Sequence, residues 1–220
     1  MIKACLFDLD GTLANTLESI AHAGNDALAS VGYKPLPVDN YKYYAGDGAK
    51  VLTQRILRDS GAPDTHFDQV YEVYTLRLKK YQPTPYEGMQ ETLEGLKARG
   101  IQSAVVSNKP HVRAVETIEQ MFGSDTFSYV QGLNDEVPRK PDPTGALKAA
   151  QVMGVKPAEC MYFGDTNTDM QTGNRAGMYT VGVLWGFRTR KELEENHARK
   201  IIERPLDILT LVDRENGRCF

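Results

Sequence analysis

Cysteine is scarce in this chain: three in 220 residues, an odd number, with none in a CxxC pair. Cys5 and Cys160 sit in apolar runs and are expected as buried core residues, while Cys219 lies near the C-terminus. No disulfide framework follows from this usage, and a reducing cytoplasm is the expected setting. The four histidines are scattered without HxxxH or similar spacing, so they are read as surface or packing residues rather than metal ligands. No apolar stretch approaches the roughly 20 residues that a membrane span needs. Met1-Ile2-Lys3 runs straight into a strand-like segment and does not resemble a signal peptide. No basic run stands out and the net charge is -3 with a pI near 5.9, so nucleic acid is not an expected partner. Internal repeats and low-complexity segments are absent from the sequence.

What the chain does have is short apolar runs that alternate with helix-like segments. Strands are expected at Ile2 to Asp8, Ile101 to Ser107, Phe127 to Val130, Cys160 to Gly164 and Tyr179 to Val183. Helices are expected at about 111–121, 143–153 and 167–176, and Gln90 to Arg99 is amphipathic with Gly100 as its stop. Ile201 to Leu211 reads as a final strand or turn and a short helix. Alternation of this kind predicts an α/β fold with a parallel sheet covered on both faces.

One region interrupts the alternation. From about Asn15 to Tyr81 the patterning is helical, with stripes such as Leu17, Ile20, Ala21, Ala27, Leu28 and Val31. Pro35, Pro37 and Gly61-Ala62-Pro63 separate the helices, and Pro83-Thr84-Pro85 closes the segment stiffly. The prediction is a helical insertion after the first strand, linked at 14–16 and 82–87 by a hinge.

Open parallel sheets bind ligands at the carboxyl ends of their strands, so the polar residues there carry the functional expectation. The first strand ends in Asp8-Leu9-Asp10-Gly11-Thr12. Two carboxylates separated by one residue in extended backbone face one volume, and they repel unless a cation or proton lies between them. The second strand ends in Ser107-Asn108-Lys109. After the third comes Lys140 between prolines, and after the fourth comes Gly164-Asp165-Thr166-Asn167-Thr168-Asp169. Carboxylates for Mg2+, a lysine as point charge, a hydroxyl and an amide together suit phosphoryl transfer.

These four segments, in this order and over nearly the whole chain, resemble the haloacid dehalogenase superfamily. The likeness is to its phosphatases with a helical cap inserted after the first motif. The resemblance implies a Rossmann-like core at 1–14 and 86–220 and a cap at 15–85. It implies that Asp8 is the nucleophile and that Asp10 protonates the leaving oxygen and then activates water. Ser107, Asn108 and Lys140 would bind the phosphoryl group. Asp8, the backbone carbonyl of Asp10 and Asp165 would hold Mg2+, with Asp169 orienting Lys140 or the metal. Tyr44 to Leu52, including Gly46-Asp47-Gly48, is similar to the cap loop of phosphoglycolate phosphatases, as is Val181 to Phe187 with Leu193. That implies a small phosphorylated metabolite as substrate, no membrane partner, and a monomer or homodimer.

Within the superfamily, the alternatives are a β-phosphoglucomutase-like mutase and a capped inorganic pyrophosphatase. Against the mutase, its early cap histidine falls at Ile20 here and Gly46-Asp47-Gly48 replaces its arginine loop. From another class, a receiver domain uses an aspartate, Mg2+, a hydroxyl and a lysine, but it is shorter and carries its acceptor aspartate after the third strand. The tyrosines at 41, 43, 44, 71, 74, 81 and 86 are read as cap packing rather than a nucleobase platform. Trp185 is read as either a site rim or packing. Arg188, Arg190, Lys191, Glu192, Glu194 and Glu195 are read as a solvated helix face.

Overall fold

The first apolar run forms strand β1 (Ala4–Phe7), and all four of its residues are buried. A strand apolar on both faces belongs in the middle of a sheet with cover on each side. In the computed structural model, which describes residues 1–217, β1 takes that place. Cys219 lies outside the described residues.

After β1, a short strand β2 (Ala14–Asn15) leads into four helices: α1 (Leu17–Ala29), α2 (Tyr41–Tyr44), α3 (Ala49–Ser60) and α4 (Phe67–Arg77). Strand β3 (Thr84–Pro85) follows, and then helices and strands alternate. They are α5 (Met89–Ala98), β4 (Gln102–Pro110), α6 (His111–Phe122), β5 (Tyr129–Leu133) and α7 (Thr144–Val152). Next come β6 (Cys160–Gly164), α8 (Asn167–Arg175), β7 (Tyr179–Val183), α9 (Arg190–Glu195), β8 (Lys200–Ile202) and α10 (Asp207–Glu215). The six main strands pair in the order β5-β4-β1-β6-β7-β8, all parallel. This is the expected Rossmann-like α/β fold.

Because side chains alternate along a strand, each central strand feeds two cores. Cys5 and Phe7 of β1 join Val105, Met161 and Phe163 on one face. Ala4 and Leu6 join Ala104, Val106, Cys160 and Tyr162 on the other. Phe7 stands opposite Phe163 in register, and the two rings stack with centroids 5.0 Å apart. Each such fully buried side chain contributes about 1.5–3 kcal/mol. The cysteines at 5 and 160 are buried and unbridged, and burial pushes both thiols up, Cys160 to about 12.

The strand expected at Phe127 to Val130 instead occupies Tyr129–Leu133. Phe127 is a buried residue before the strand, with its ring edge-on to Phe122 at 5.8 Å. The strand runs on through Gly132, where an added Cβ would lie 2.5 Å from the His111 Cα. Close approach of the α6 N-terminus demands that glycine, and the glycine masks the strand signal.

Two compact units emerge. Met1–Ala14 with the chain from Pro85 onward forms one, and Asn15–Thr84 forms the other. In the second unit, α1, α3 and α4 pack with Leu28, Ile56, Leu57 and Val70 buried between them. Tyr41 is buried and donates from Oη to Asn25 Oδ1 at 2.9 Å. Asn25 also brackets the backbone of Leu36, accepting from its N–H at 2.8 Å and donating to its carbonyl at 3.0 Å. Tyr44 and Tyr74 are buried too, whereas Tyr43 is exposed. Among the described residues, no helix is long and apolar enough to cross a membrane.

Candidate active site

Register brings the predicted strand ends together. Phe7 pairs with Val105 on one side and Phe163 on the other. Asp8, Ser107 and Asp165 each lie one or two residues beyond those positions, at one edge of the sheet. The Asp8 N–H donates to the Phe163 carbonyl at 2.9 Å, which extends the pairing to the start of the site. Asp8, Ser107, Asn108, Lys140, Asp165 and Asp169 are all buried, and Asp10 is partly so.

Lys140 Nζ lies 2.8 Å from Asp8 Oδ1 and 2.7 Å from Asp169 Oδ1. Its backbone is fixed by Asn108, whose Oδ1 accepts from the Lys140 N–H at 2.8 Å and whose Nδ2 donates to the Lys140 carbonyl at 3.3 Å. Asp169 is held on its other oxygen at the start of α8, where Oδ2 accepts from the Thr166 N–H at 3.1 Å and from Thr166 Oγ1 at 2.6 Å. That is a reciprocal helix cap, since the Asp169 N–H returns a bond to Thr166 Oγ1. Asp165 accepts from Thr12 Oγ1 at 3.1 Å on one oxygen and from the Phe187 N–H at 2.7 Å on the other. Carboxylate oxygens of Asp8, Asp165 and Asp169 fall within 4.8 Å of one another.

Three buried carboxylates around one ammonium carry excess negative charge. Burial, with repulsion from Asp169, pushes Asp8 up to about 7 despite Lys140 beside it. Burial, then Asp169 and Asp8, hold Asp165 well above the usual carboxylate range. For Lys140, burial works against the charge, but Asp169 and Asp8 overcome it and raise the ammonium well above its ordinary value.

The donor set fits a hard divalent cation. Asp8 Oδ1 is shut off from water, with Lys140 Nζ facing it at 2.8 Å, and keeps lone-pair capacity. Both Asp169 oxygens are committed to Lys140 and Thr166, while each Asp165 oxygen accepts one hydrogen bond and keeps lone-pair capacity. Clustered oxygen donors with excess negative charge suit a hard divalent cation.

Glycines make room for the cluster. Gly11 turns the chain at φ +88°, and a Cβ there would lie 2.3 Å from Asp165 Oδ2. A Cβ on Gly186 would lie 2.3 Å from the Asp165 Cβ and 2.4 Å from the Gly11 carbonyl oxygen. Gly186→Ala is expected to cost about 1–3 kcal/mol of stability through overpacking. It should also raise the Mg2+ concentration needed to shift the melting temperature, as a metal titration of wild type and variant will show.

Several contributors went unassigned in the sequence. Lys109 Nζ bonds both Asp10 oxygens, at 2.9 and 3.2 Å. Trp185 Nε1 donates to the Thr12 carbonyl at 2.9 Å, closing the turn after β1 from 173 residues away. Arg188 corrects the reading of a solvated face from 188 to 195: it is 9% exposed, and its Nε lies 3.2 Å from Glu192 Oε1. The Phe187 N–H bond to Asp165 draws the loop after β7 inward and carries Arg188 with it. The single clue in the sequence was the apolar Leu184-Trp185-Gly186-Phe187 run that precedes the charges.

Gly46, Asp47 and Gly48 belong to the helical unit, between α2 and α3. Both glycines have positive φ, +107° and +87°. Asp47 is engaged by Arg55 Nη2 at 2.5 Å, and Arg55 Nη1 also donates to the Tyr43 and Tyr44 carbonyls at 3.2 and 3.0 Å.

Comparison with known proteins converges on one group. The sequence model of the haloacid dehalogenase-like hydrolases matches residues 5–183. A phosphoglycolate phosphatase of Aquifex aeolicus is 31% identical over 212 residues, spanning 96% of this chain and 97% of that protein. One from Psychrobacter arcticus is 31% identical over 218 residues, spanning 94% and 93%. The crystal structure of a predicted phosphoglycolate phosphatase from Haemophilus somnus superposes with a TM-score of 0.89 at 26% identity, covering 96% of this chain and 98% of that one.

Proposed function

Because the chain belongs to the haloacid dehalogenase-like hydrolases and is a phosphoric monoester hydrolase, we propose that it cleaves a small phosphomonoester of the phosphoglycolate kind through a phospho-aspartate on Asp8. The observation that carries this reading is the buried Asp8 carboxylate, 2.8 Å from Lys140 Nζ and grouped with Asp165 and Asp169 at one sheet edge.

In the first half-reaction an Asp8 oxygen forms a bond to phosphorus while the bond from phosphorus to the leaving oxygen breaks. Asp10 gives its proton to that oxygen. In the second, Asp10 takes a proton from water as the water oxygen bonds to phosphorus. The bond from phosphorus to Asp8 then breaks, which frees phosphate and returns Asp8 to its carboxylate and Asp10 to its protonated form. Ser107, Asn108 and Lys140 hold the phosphoryl oxygens, and Asp169 keeps Lys140 charged and oriented. Asp8, Asp165 and the Asp10 carbonyl would hold Mg2+, which would supply positive charge to the phosphoryl group. Within this reading, the Gly46-Asp47-Gly48 loop of the helical unit contributes to substrate choice.

The test is phosphate release from 2-phosphoglycolate, β-glucose 1-phosphate and pyrophosphate with Mg2+ present. We expect kcat/KM for 2-phosphoglycolate to exceed both others by about tenfold or more, which corresponds to about 1.4 kcal/mol of differential transition-state binding. Comparable values for all three, or a preference for pyrophosphate or the sugar phosphate, would overturn the substrate assignment.

A further inference from the structure

The proton-transfer residue of the proposed mechanism is held differently from the other carboxylates. Asp165 and Asp169 are each fixed by a backbone N–H and a hydroxyl. Asp10 sits beside Gly11, which turns the chain at positive φ. Among the described residues, the side-chain donor on its carboxylate is Lys109, at 2.9 Å to Oδ1 and 3.2 Å to Oδ2. The pair is shielded, with side chains 11% and 17% exposed.

The lysine is itself anchored. It lies near the end of β4, its N–H donates to Ser107 Oγ at 3.2 Å, and its neighbour Asn108 grips the Lys140 backbone. Ordering a lysine side chain costs rotamer entropy, so this placement is not the default of a surface lysine. Contact with both oxygens holds the carboxylate head in place from one side.

We propose that Lys109 is a positioning residue for the proton transfers: its ammonium, bridging both Asp10 oxygens, holds that side chain in the place from which it serves the leaving oxygen and then water. This rests on the role given to Asp10 above. A misaligned general base loses part of the 10²–10⁴-fold that such groups contribute, so about tenfold is expected for Lys109→Met.

The experiment uses p-nitrophenyl phosphate with Mg2+ and stopped-flow detection of p-nitrophenolate. This leaving group needs no proton, so formation of the phospho-aspartate is insulated from Asp10, while its hydrolysis is not. Lys109→Met should give a burst approaching one p-nitrophenolate per site at the wild-type rate, followed by turnover about tenfold slower. Lys109→Arg should recover most of that turnover. Burst and turnover falling together would mark a structural role. A loss confined to KM would mark a substrate contact, and unchanged kinetics would mark an idle ion pair; each overturns the proposal. Asp10→Asn separates the two levels. If it bursts and stalls while Lys109→Met behaves as wild type, the positioning role alone fails. If Asp10→Asn turns over normally, the role of Asp10 fails and the positioning role with it.

Discussion

Asp8→Asn is expected to lower phosphate release on the order of 10⁴-fold or more, to the assay background. The amide matches the carboxylate in shape but has no electron pair able to attack phosphorus and then leave again. Its effect on folding should be small. Asp8 is buried, repelled by Asp169 and pushed up to about 7, so its charge is held at a cost that the neutral amide removes. Lys140 keeps its second partner, Asp169, at 2.7 Å. Melting of the variant should therefore stay within roughly 5 °C of wild type. Substantial phosphate release with the fold intact would remove Asp8 from the mechanism.

Lys140→Met should have the largest effect on stability. Removing the ammonium strands Asp8 and Asp169 in a buried site without the cation that bonds them, and breaking a buried pair from one side typically costs about 3–5 kcal/mol. In metal-free protein, denaturant melts of the single variant should show that loss. The double variant Lys140→Met/Asp169→Asn should recover part of it, because one of the two stranded charges is gone and its repulsion of Asp8 goes with it. A cost below about 1 kcal/mol, or no recovery, would mean that Lys140 does not hold the carboxylates together. Turnover should also fall by about 10²–10³-fold, since a charge aimed at the phosphoryl group is lost from a site shielded from water.

The strands at Cys160–Gly164 and Tyr179–Val183 were legible to the residue because each is a short apolar run bounded by a polar turn. The helices after β4, before β6 and after β6 were also legible within one or two residues, through their periodicity. The strand at Tyr129–Leu133 was displaced in the reading because Phe127 serves the core from a loop and Gly132 serves a close approach, neither of which is a strand preference.

The same division holds in the site. The carboxylates, Ser107 and Lys140 could be collected as polar residues at strand ends. Lys109 was collected with them but given no role, and Arg188 was read as part of a solvated face, since what fixes each depends on contact between distant parts of the chain. Lys109 reaches Asp10 across 99 residues, and Phe187 gives its backbone N–H to Asp165 across 22. A backbone donor leaves no trace in residue identity. Arg188 sits beside five surface charges and shares their composition, and only the inward pull at Phe187 separates it from them.

The central claim is a covalent phosphate on Asp8. Its most direct test is acid quench within one turnover of 2-phosphoglycolate or p-nitrophenyl phosphate with Mg2+, followed by peptide mapping by mass spectrometry. The account predicts a transient phosphate adduct, labile to hydroxylamine, on the peptide that contains Asp8 and absent from Asp8→Asn. Phosphate release at full rate with no adduct on that peptide at any quench time would contradict it.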